Sequence, residues 1–287
     1  MSAFDYRAPR TVDEALAILR EYGEDARVIA GGTALVTMLR QRLVRPGCLV
    51  SLRDVQGLDR VEATNGALRF GALVTHRESE TSPLVRERIP VLAETFRRVA
   101  TVRIRHMATL GGALAHADPN QDPPVTLLAL GARVHVSGGG QRELAIDEFF
   151  RDYYESALEP GEIVTGVTVP VPAAGSGAAF VKFLPRTADD YATVAVAAIV
   201  SLDGDRCREA RIALGSVGVT PLRGRAVEAL LSGERFSQGL AEAAGEAVKG
   251  EVDPLSDHRG SAGYKRDMAA VMVGRALTQA WEAARRP

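Results

Sequence analysis

The first fifty residues alternate between short apolar runs and amphipathic stretches, and this alternation limits the folds available to the chain. Thr11 and Glu14 form a capping box, after which apolar residues recur at helical spacing. Apolar runs at 26–30 and 48–52 predict strands, and 33–43 between them predicts a helix. An order of strand, helix, strand, helix and strand is typical of a small α/β lobe with parallel strands.

From about residue 58 the pattern changes to hairpins and helices. Asn65-Gly66 separates two β-type runs and predicts a hairpin turn. A second hairpin is predicted from 133–137 and 142–146 around three glycines. Helices are predicted at 82–88, 90–100 and 122–130. Segment 103–121 contains glycines and little periodicity, so we expect a loop there, and loops of that kind are often functional.

A cluster of prolines and glycines at 170–177 predicts a linker. The chain beyond it has β-type runs at 179–184, 193–202 and 207–214 and helical stretches at 224–232, 238–248 and 261–285. Strands followed by helices predict a separate α+β domain, with a three-stranded antiparallel sheet.

Composition excludes several classes of protein. The 287 residues carry 35 Lys and Arg against 36 Asp and Glu, so no excess of basic charge favours nucleic-acid binding. The only cysteines, Cys48 and Cys207, are too few for an iron–sulfur cluster or a four-cysteine zinc site in this chain alone. Residues 1–22 lack the apolar core of a signal peptide, and no run of about 18 apolar residues predicts a membrane span. We therefore expect a cytoplasmic protein, in the cytosol or at the inner face of the membrane.

Common catalytic and nucleotide-binding motifs are absent from the sequence. There is no G-x-G-x-x-G opening a helix, no G-x-x-x-x-G-K, no H-E-x-x-H and no G-x-S-x-G. The five histidines lack ligand spacing, so we expect surface or loop residues rather than metal ligands: His76, His106, His116, His135 and His258. The sequence predicts no metal site and no catalytic residue in this chain.

A first glycine turn, residues 30–36, follows the strand at 26–30 and precedes a helix. Gly31-Gly32 lets a ligand approach the backbone because no Cβ intervenes, and Thr33 adds a hydroxyl. The free N–H groups of the helix start favour a pyrophosphate. The alternative is a tight turn with Thr33 as an N-cap.

A second glycine turn, residues 109–114, comes about eighty residues later. Asp122 follows it and could accept hydrogen bonds from sugar-like hydroxyls, or serve only as an acid at a helix start. Two such turns could hold one elongated anionic ligand between two lobes.

Taken together, these segments resemble a known family. Arg27-Val28-Ile29-Ala30-Gly31-Gly32-Thr33, Val102-Arg103-Ile104-Arg105, Ala108-Thr109-Leu110-Gly111-Gly112 and Ala115-His116-Ala117-Asp118-Pro119 are similar to the FAD-binding medium subunits of molybdenum hydroxylases, such as those of aerobic carbon monoxide dehydrogenases. The resemblance runs essentially from end to end.

The resemblance implies a fold of the α+β class. A two-lobed FAD-binding domain, of the type also found in vanillyl-alcohol oxidases, is expected to precede a smaller α+β domain. We place the first lobe at 1–55, the second lobe at 56–174 and the C-terminal domain at 178–287.

The resemblance also implies which residues bind FAD. The first turn would contact the pyrophosphate, the second turn would line the cofactor, and Asp122 would contact the ribityl chain or the adenosine side. Lys182 would lie at the flavin-ring edge, where it stabilises the negative charge of the reduced ring, and Tyr191 would cover a ring face. From the residues alone, the alternatives are a solvated lysine and a core tyrosine. The expected cofactor residues are Ala30, Gly31, Gly32, Thr33, Ala34, Leu35, Val36, Thr109, Gly111, Gly112, Ala113, Leu114, Asp122, Lys182 and Tyr191.

Two departures from the family pattern concern the second turn. His106-Met107-Ala108 stands where many members have Asn-Arg-Gly, and Ala113 stands where Ser or Asn is frequent. Losing a side-chain hydrogen bond at Ala113 would weaken one FAD contact, while backbone donors remain.

The family role implied is electron transfer. A large subunit with a molybdenum cofactor hydroxylates the substrate, and a small subunit with two [2Fe–2S] clusters passes electrons to FAD in this chain, which passes them to an external acceptor. The expected assembly is a dimer of heterotrimers. Two other functions stay open: a stand-alone FAD oxidase or reductase, and a flavin-free scaffold subunit. The sequence identifies neither the substrate nor the acceptor.

Overall fold

A computed structural model of the chain describes residues 4–184, 186–187 and 189–286. The N-terminal lobe is a three-stranded parallel sheet in the order β1-β3-β2. Its elements are β1 (Asp5–Arg7), α1 (Val12–Tyr22), β2 (Ala26–Ile29), α2 (Leu35–Arg40) and β3 (Cys48–Ser51). The parallel α/β lobe expected from the alternation is confirmed, although α2 is shorter than the predicted helix at 33–43.

The next part is built on a five-stranded antiparallel sheet in the order β4-β5-β10-β6-β7. The strands are β4 (Val61–Thr64), β5 (Ala67–Gly71), β6 (Arg133–Ser137), β7 (Gln141–Ala145) and β10 (Ile163–Pro170), and a separate small hairpin pairs β8 (Phe150–Asp152) with β9 (Glu155–Ser156). Both predicted hairpins are present. The central strand β10, which joins them into one sheet, was not predicted.

Six helices cover the inner face of this sheet and its ends. They are α3 (His76–Thr81), α4 (Pro83–Arg88), α5 (Pro90–Arg97), α6 (Val102–Met107), α7 (Leu110–His116) and α8 (Asp122–Leu130). The prediction of a loop at 103–121 is wrong, because Thr101 and Thr109 each cap a helix by accepting a hydrogen bond from a backbone amide three residues later. Short capped helices carry too few apolar repeats to be recognised by periodicity.

The C-terminal part combines a four-stranded antiparallel sheet, in the order β11-β12-β13-β14, with helices. The elements are β11 (Ser176–Phe183), β12 (Val194–Asp203), β13 (Arg206–Gly215), β14 (Leu222–Arg223), α9 (Arg225–Leu231), α10 (Gln238–Val248) and α11 (Ala262–Ala284). The three expected strands and three expected helices are present. The two-residue strand β14 makes the sheet four-stranded rather than three-stranded.

This second sheet is covered on both faces. Val194, Val196 and Val200 of β12 face a core that includes Trp281 of α11. Alternate residues of the same strand, such as Ala195 and Ile199, belong to the core of the five-stranded sheet and its helices. Strand β12 therefore takes part in two cores, one that it shares with the five-stranded sheet and one that it forms with the C-terminal helices. The limits 1–55, 56–174 and 178–287 stay predictions.

No helix among the described residues is both long and apolar enough to cross a membrane.

Candidate functional site

The first glycine turn connects β2 to α2 with an arrangement that leaves main-chain donors free. Gly32 has a φ of 72°, which favours glycine. The amides of Gly32, Thr33 and Ala34 have no acceptor within the described part of the chain, whereas Val36 donates to the carbonyl of Gly32 at 2.9 Å. Thr33 is not an N-cap, because Ala34 precedes α2 and no side chain caps that helix. Since α2 has only six residues, the free amides of the turn contribute more than a helix dipole does.

Gly31 is glycine for a different reason from the one predicted. A Cβ at this position would overlap the carbonyl oxygen of Met107, so the close approach is between the turn and the end of α6 rather than between the turn and a ligand. The structure thereby joins the first glycine turn to the segment that enters the second one.

In the second glycine turn, the main-chain N–H groups donate to acceptors elsewhere in the chain or in the turn itself. Leu110 donates to Val74 at 2.9 Å and Gly111 donates to Ala72 at 2.8 Å. Gly112 donates to the side chain of Thr109 at 3.2 Å. These hydrogen bonds fix the turn against the end of β5, and they leave fewer free amides than the first turn has.

Gly112 is the solvent-exposed glycine of the second turn. It is exposed, whereas Gly111, Ala113 and Leu114 are buried. A Cβ on Gly112 would lie 3.9 Å from the Cβ of Ala30. The two turns therefore lie side by side, an arrangement in which both could contact one ligand.

Both segments around the turns lack acidic side chains. Residues 26–53 and 95–117 contain nine arginines and no Asp or Glu, although the whole chain has a net charge of −1. Arg97 and Arg98 are paired with Glu94, and Arg105 is paired with Glu80. The other six arginines of these segments have no ion-pair partner among the described residues, so an anionic group at the turns would meet a positive field. Free amides and this field fit the pyrophosphate of FAD.

Asp122 and Lys182 form a buried ion pair that was not predicted. The Lys182 Nζ lies 2.7 Å from the Asp122 Oδ2 and also donates to the carbonyl of Arg98 at 3.0 Å. Lys182 is thus not a solvated lysine. Burial raises the pKa of the Asp122 carboxyl to about 6 despite the nearby cation. The Asp122 Oδ1 is buried and has no hydrogen-bond partner within the described chain.

Tyr191 lies at the surface rather than in the core, with 44% of its area exposed. The Arg259 guanidinium stands 5.5 Å from the centre of its ring, and burial together with Asp118 raises the pKa of its hydroxyl. The ring of Tyr154, a residue with a φ of 54°, lies 5.1 Å from the His116 ring and is tilted by 51° relative to it. The aromatic surface beside the second turn is thus larger than the single tyrosine that was predicted.

His76 is a further residue of the site region that sequence reasoning misplaced. It is 3% exposed, so the expectation of a surface or loop residue is wrong here. Its amide donates to Ala108 at 2.9 Å and its ring packs against Phe96. Burial lowers its pKa to about 4. Thr75, which caps α3 just before it, was the available sequence signal.

A cleft of about 870 Å³ lies elsewhere, between α1 and the outer face of the five-stranded sheet, and Arg20, Arg69 and His135 are among its lining residues. None of the predicted cofactor residues lines it, so it is separate from the site at the glycine turns.

Family models match almost the whole chain. The FAD binding domain in molybdopterin dehydrogenase matches residues 2–172, and the CO dehydrogenase flavoprotein C-terminal domain matches residues 179–280. The first match contains both glycine turns and Asp122, and the second contains Lys182 and Tyr191. The chain belongs to the family of FAD-binding molybdopterin dehydrogenase subunits.

Individual members of this family are similar along their full length. The carbon monoxide dehydrogenase medium chain of Afipia carboxidovorans is 36% identical, over 97% of this chain and 96% of the relative. The 6-hydroxypseudooxynicotine dehydrogenase complex subunit alpha of Paenarthrobacter nicotinovorans is 38% identical, over 99% of this chain and 96% of the relative.

Solved structures superpose on this FAD-binding subunit over almost its whole length. A carbon monoxide dehydrogenase from Hydrogenophaga pseudoflava superposes with a TM-score of 0.96 at 36% identity, covering 98% of both chains. Quinoline 2-oxidoreductase from Pseudomonas putida 86 gives a TM-score of 0.95 at 35% identity, covering 99% of both chains. The two-domain FAD-binding fold implied by the resemblance is confirmed, and the chain is an FAD-binding subunit of an oxidoreductase.

Proposed function

We propose that this chain is the electron-transfer subunit of a heterotrimeric molybdenum hydroxylase. Its partners are a large subunit with the molybdenum cofactor and a small subunit with two [2Fe–2S] clusters, and the assembly is a dimer of heterotrimers in the cytoplasm. Bound FAD supplies the redox chemistry between those clusters and an external acceptor. The observation that carries the proposal is the pair of adjoining glycine turns, the first of which has free amides, in two segments without Asp or Glu.

The first turn binds the diphosphate in this proposal. The free amides of Gly32, Thr33 and Ala34 would donate to phosphate oxygens, in a turn that the positive φ of Gly32 helps to form. Ala30, Leu35 and Val36 line the cofactor beside them. The second turn contributes the exposed backbone of Gly112 and the walls formed by Thr109, Gly111, Ala113 and Leu114.

Asp122, Lys182 and Tyr191 bind the flavin half of the cofactor. Because Asp122 and Lys182 are 2.7 Å apart, a lysine at the ring is compatible with Asp122 at the ribityl chain and not with Asp122 at the distant adenosine. The unpaired Oδ1 of Asp122 is an acceptor for a ribityl hydroxyl. Tyr191, whose ring centre lies 5.5 Å from the Arg259 guanidinium, would cover a face of the flavin ring.

Gly32 provides the test of the diphosphate site. We expect Gly32→Asp to give a folded chain without flavin, because a carboxylate repels the pyrophosphate and blocks its approach. Gly32→Asn is the matched control, since asparagine has the same shape, tolerates a positive φ and has no charge. We expect Gly32→Asn to retain more FAD than Gly32→Asp, as measured by absorbance of the purified chain and by the dissociation constant for added FAD. Full flavin in Gly32→Asp would show that the turn does not bind the diphosphate.

The electron-transfer role has its own test. The isolated chain should be yellow, reducible by dithionite, and inert toward organic substrates of the complex. Addition of both partner subunits should restore reduction by substrate. A yellow chain that oxidises substrate alone would support the stand-alone oxidase instead, and a colourless one would support the scaffold.

A further inference from the structure

A largely buried arginine, Arg105 of α6, holds the turn that connects α5 to α6. Its side chain is 12% exposed. The Nη1 atom donates to the carbonyl oxygens of Val99 and Ala100, at 2.7 and 2.9 Å. The Nε atom donates to the carboxylate of Glu80 on α3 at 2.9 Å. One guanidinium therefore ties two consecutive carbonyls of the turn to a neighbouring helix.

The turn, residues 98–100, has a strained backbone. Ala100 has a φ of 38°, in the left-handed region that residues with a Cβ rarely adopt. Such a conformation persists only where the surrounding structure holds it, and it is frequent at functional sites. Here the hydrogen bond from Arg105 to the Ala100 carbonyl holds it. Loss of this bond would leave the turn free to relax.

The same turn binds Lys182. The carbonyl of Arg98, next to Val99 in the chain, accepts a hydrogen bond from the Lys182 Nζ at 3.0 Å. Asp122 accepts a second one at 2.7 Å. The Lys182 side chain is only 1% exposed, so these two acceptors determine where its ammonium group lies. Of the two, the Arg98 carbonyl is the one whose position depends on the turn.

We infer that Arg105 is a positioning residue, which fixes turn 98–100 and thereby holds the Lys182 ammonium at the edge of the flavin ring. The inference rests on the proposed function, which places Lys182 beside the flavin. A cation there favours reduced FAD, which carries a negative charge, over oxidised FAD. An ammonium held close to the ring does so more strongly than one that moves away, because the attraction falls with distance. In this role Arg105 acts only through Lys182.

Lysine labelling tests the first step of the inference without any cofactor. Lys182, Lys249 and Lys265 are the only lysines of the chain, so reductive methylation followed by mass analysis reports each of them. We expect Arg105→Gln to speed the labelling of Lys182 about tenfold in the FAD-free chain, since a buried group reacts when its surroundings open. Lys265 is also buried and should keep its rate, whereas a general loss of stability would expose both. Unchanged labelling of Lys182 would overturn the inference.

Arg77→Gln is the matched control. Arg77 binds the other oxygen of the Glu80 carboxylate at 2.8 Å, and within the described chain it makes no hydrogen bond to turn 98–100. Its removal therefore disturbs the same acid without releasing the turn, and Lys182 should be labelled as in the unaltered chain. Equal acceleration in Arg77→Gln and Arg105→Gln would show that the ion pairs of Glu80, and not the turn, protect Lys182.

The midpoint potential of FAD bound to the full chain tests the second step. We expect Arg105→Gln to weaken the preference for reduced over oxidised FAD about tenfold, a fall of about 30 mV for two electrons. Arg105→Lys keeps a cation beside Glu80 but lacks the planar group that reaches the carbonyls as well, so its potential should also fall. In a Lys182→Met chain, Arg105→Gln should no longer change the potential, because the group that it positions is gone. A shift that persists without Lys182, or faster labelling with an unchanged potential, would overturn the inference.

FAD content separates this inference from the proposed function. Arg105→Gln and Arg77→Gln should both keep a full complement of FAD. Loss of FAD from Arg105→Gln with normal labelling of Lys182 would overturn the inference, since Arg105 would then act through α6 on the first glycine turn, where Gly31 packs on Met107. An unaltered chain that binds no FAD would instead refute the proposed function, and the labelling rates would still decide whether Arg105 holds Lys182.

Discussion

His76 lies under the second glycine turn, and its burial makes the stability of the chain depend on pH. Burial lowers its pKa from 6.5 to about 4 in the folded state. The unfolded chain therefore binds more protons between these values, and stability present above about pH 6.5 is lost as the pH falls toward 4. The loss from this group amounts to about 3 kcal/mol at most.

His76→Phe isolates this contribution, because the ring packs against Phe96 and phenylalanine has a similar shape. We expect the free energy of unfolding of the unaltered chain to fall by about 2 kcal/mol more than that of the variant between pH 7 and pH 4.5. Denaturant titrations at both pH values measure the difference. Asp122, whose pKa is raised to about 6, works in the opposite direction in both proteins and cancels. Parallel pH profiles would contradict the prediction.

The Asp122–Lys182 pair is the second residue-scale feature with a measurable energy. The two side chains are 5% and 1% exposed, so removal of either leaves an uncompensated buried group. We expect Lys182→Met and Asp122→Asn each to cost about 3–5 kcal/mol. The double variant should cost about 1–3 kcal/mol less than the sum of both. A double-mutant cycle on the free energy of unfolding gives this coupling, and strict additivity would show that the pair is not coupled.

At the scale of elements, local sequence patterns predicted most of the helices and strands. They missed elements that depend on pairing between segments distant in sequence. Capping residues, Asn65-Gly66 and apolar periodicity predicted the N-terminal lobe, both hairpins and the C-terminal elements. Strand β10 was missed because its partners β5 and β6 lie far from it in sequence. The short helices α6 and α7 were missed because six or seven residues carry little periodicity.

The candidate site shows the same division. The two glycine turns were predictable as candidate binding segments, because small-residue turns between regular elements are visible in the sequence. The contact of Asp122 with Lys182 was not, since sixty residues separate them and each had a plausible separate role. The reason for Gly31 was also hidden, because the atom that excludes a Cβ belongs to Met107, in a segment without a recognisable pattern.

Gly31 gives a prediction about how the first turn and α6 fit together. A methyl group at Gly31 would overlap the Met107 carbonyl, so Gly31→Ala must displace one of the two elements. We expect a loss of about 1–3 kcal/mol in the free energy of unfolding. Gly139→Ala is the matched control, because nothing lies within 4 Å of its Cβ position, and it should change stability little. Equal effects in thermal or denaturant unfolding would mean that the contact is not rigid.

For the whole molecule, the sharing of one core between the two sheets predicts how the chain unfolds. β12 contributes Ala195 and Ile199 to the core of the five-stranded sheet and Val196 to the core around Trp281. Asp147 also reaches across to Arg225 at 3.2 Å. With the core continuous between the two family domains, we expect one cooperative transition rather than two.

Leu92→Ala tests this cooperativity, because Leu92 and the fluorescent reporter Trp281 belong to different cores. Leu92 is fully buried on α5 and belongs to the core of the five-stranded sheet, so its truncation should cost about 2–5 kcal/mol. Trp281, the single tryptophan of the chain, is buried in the other core and reports its unfolding by fluorescence. If the cores unfold together, Leu92→Ala lowers the fluorescence midpoint as much as the midpoint seen by far-ultraviolet circular dichroism. A fluorescence midpoint that does not move would show that the C-terminal domain is stable by itself, and the continuous core would then be only a contact surface between two independent units.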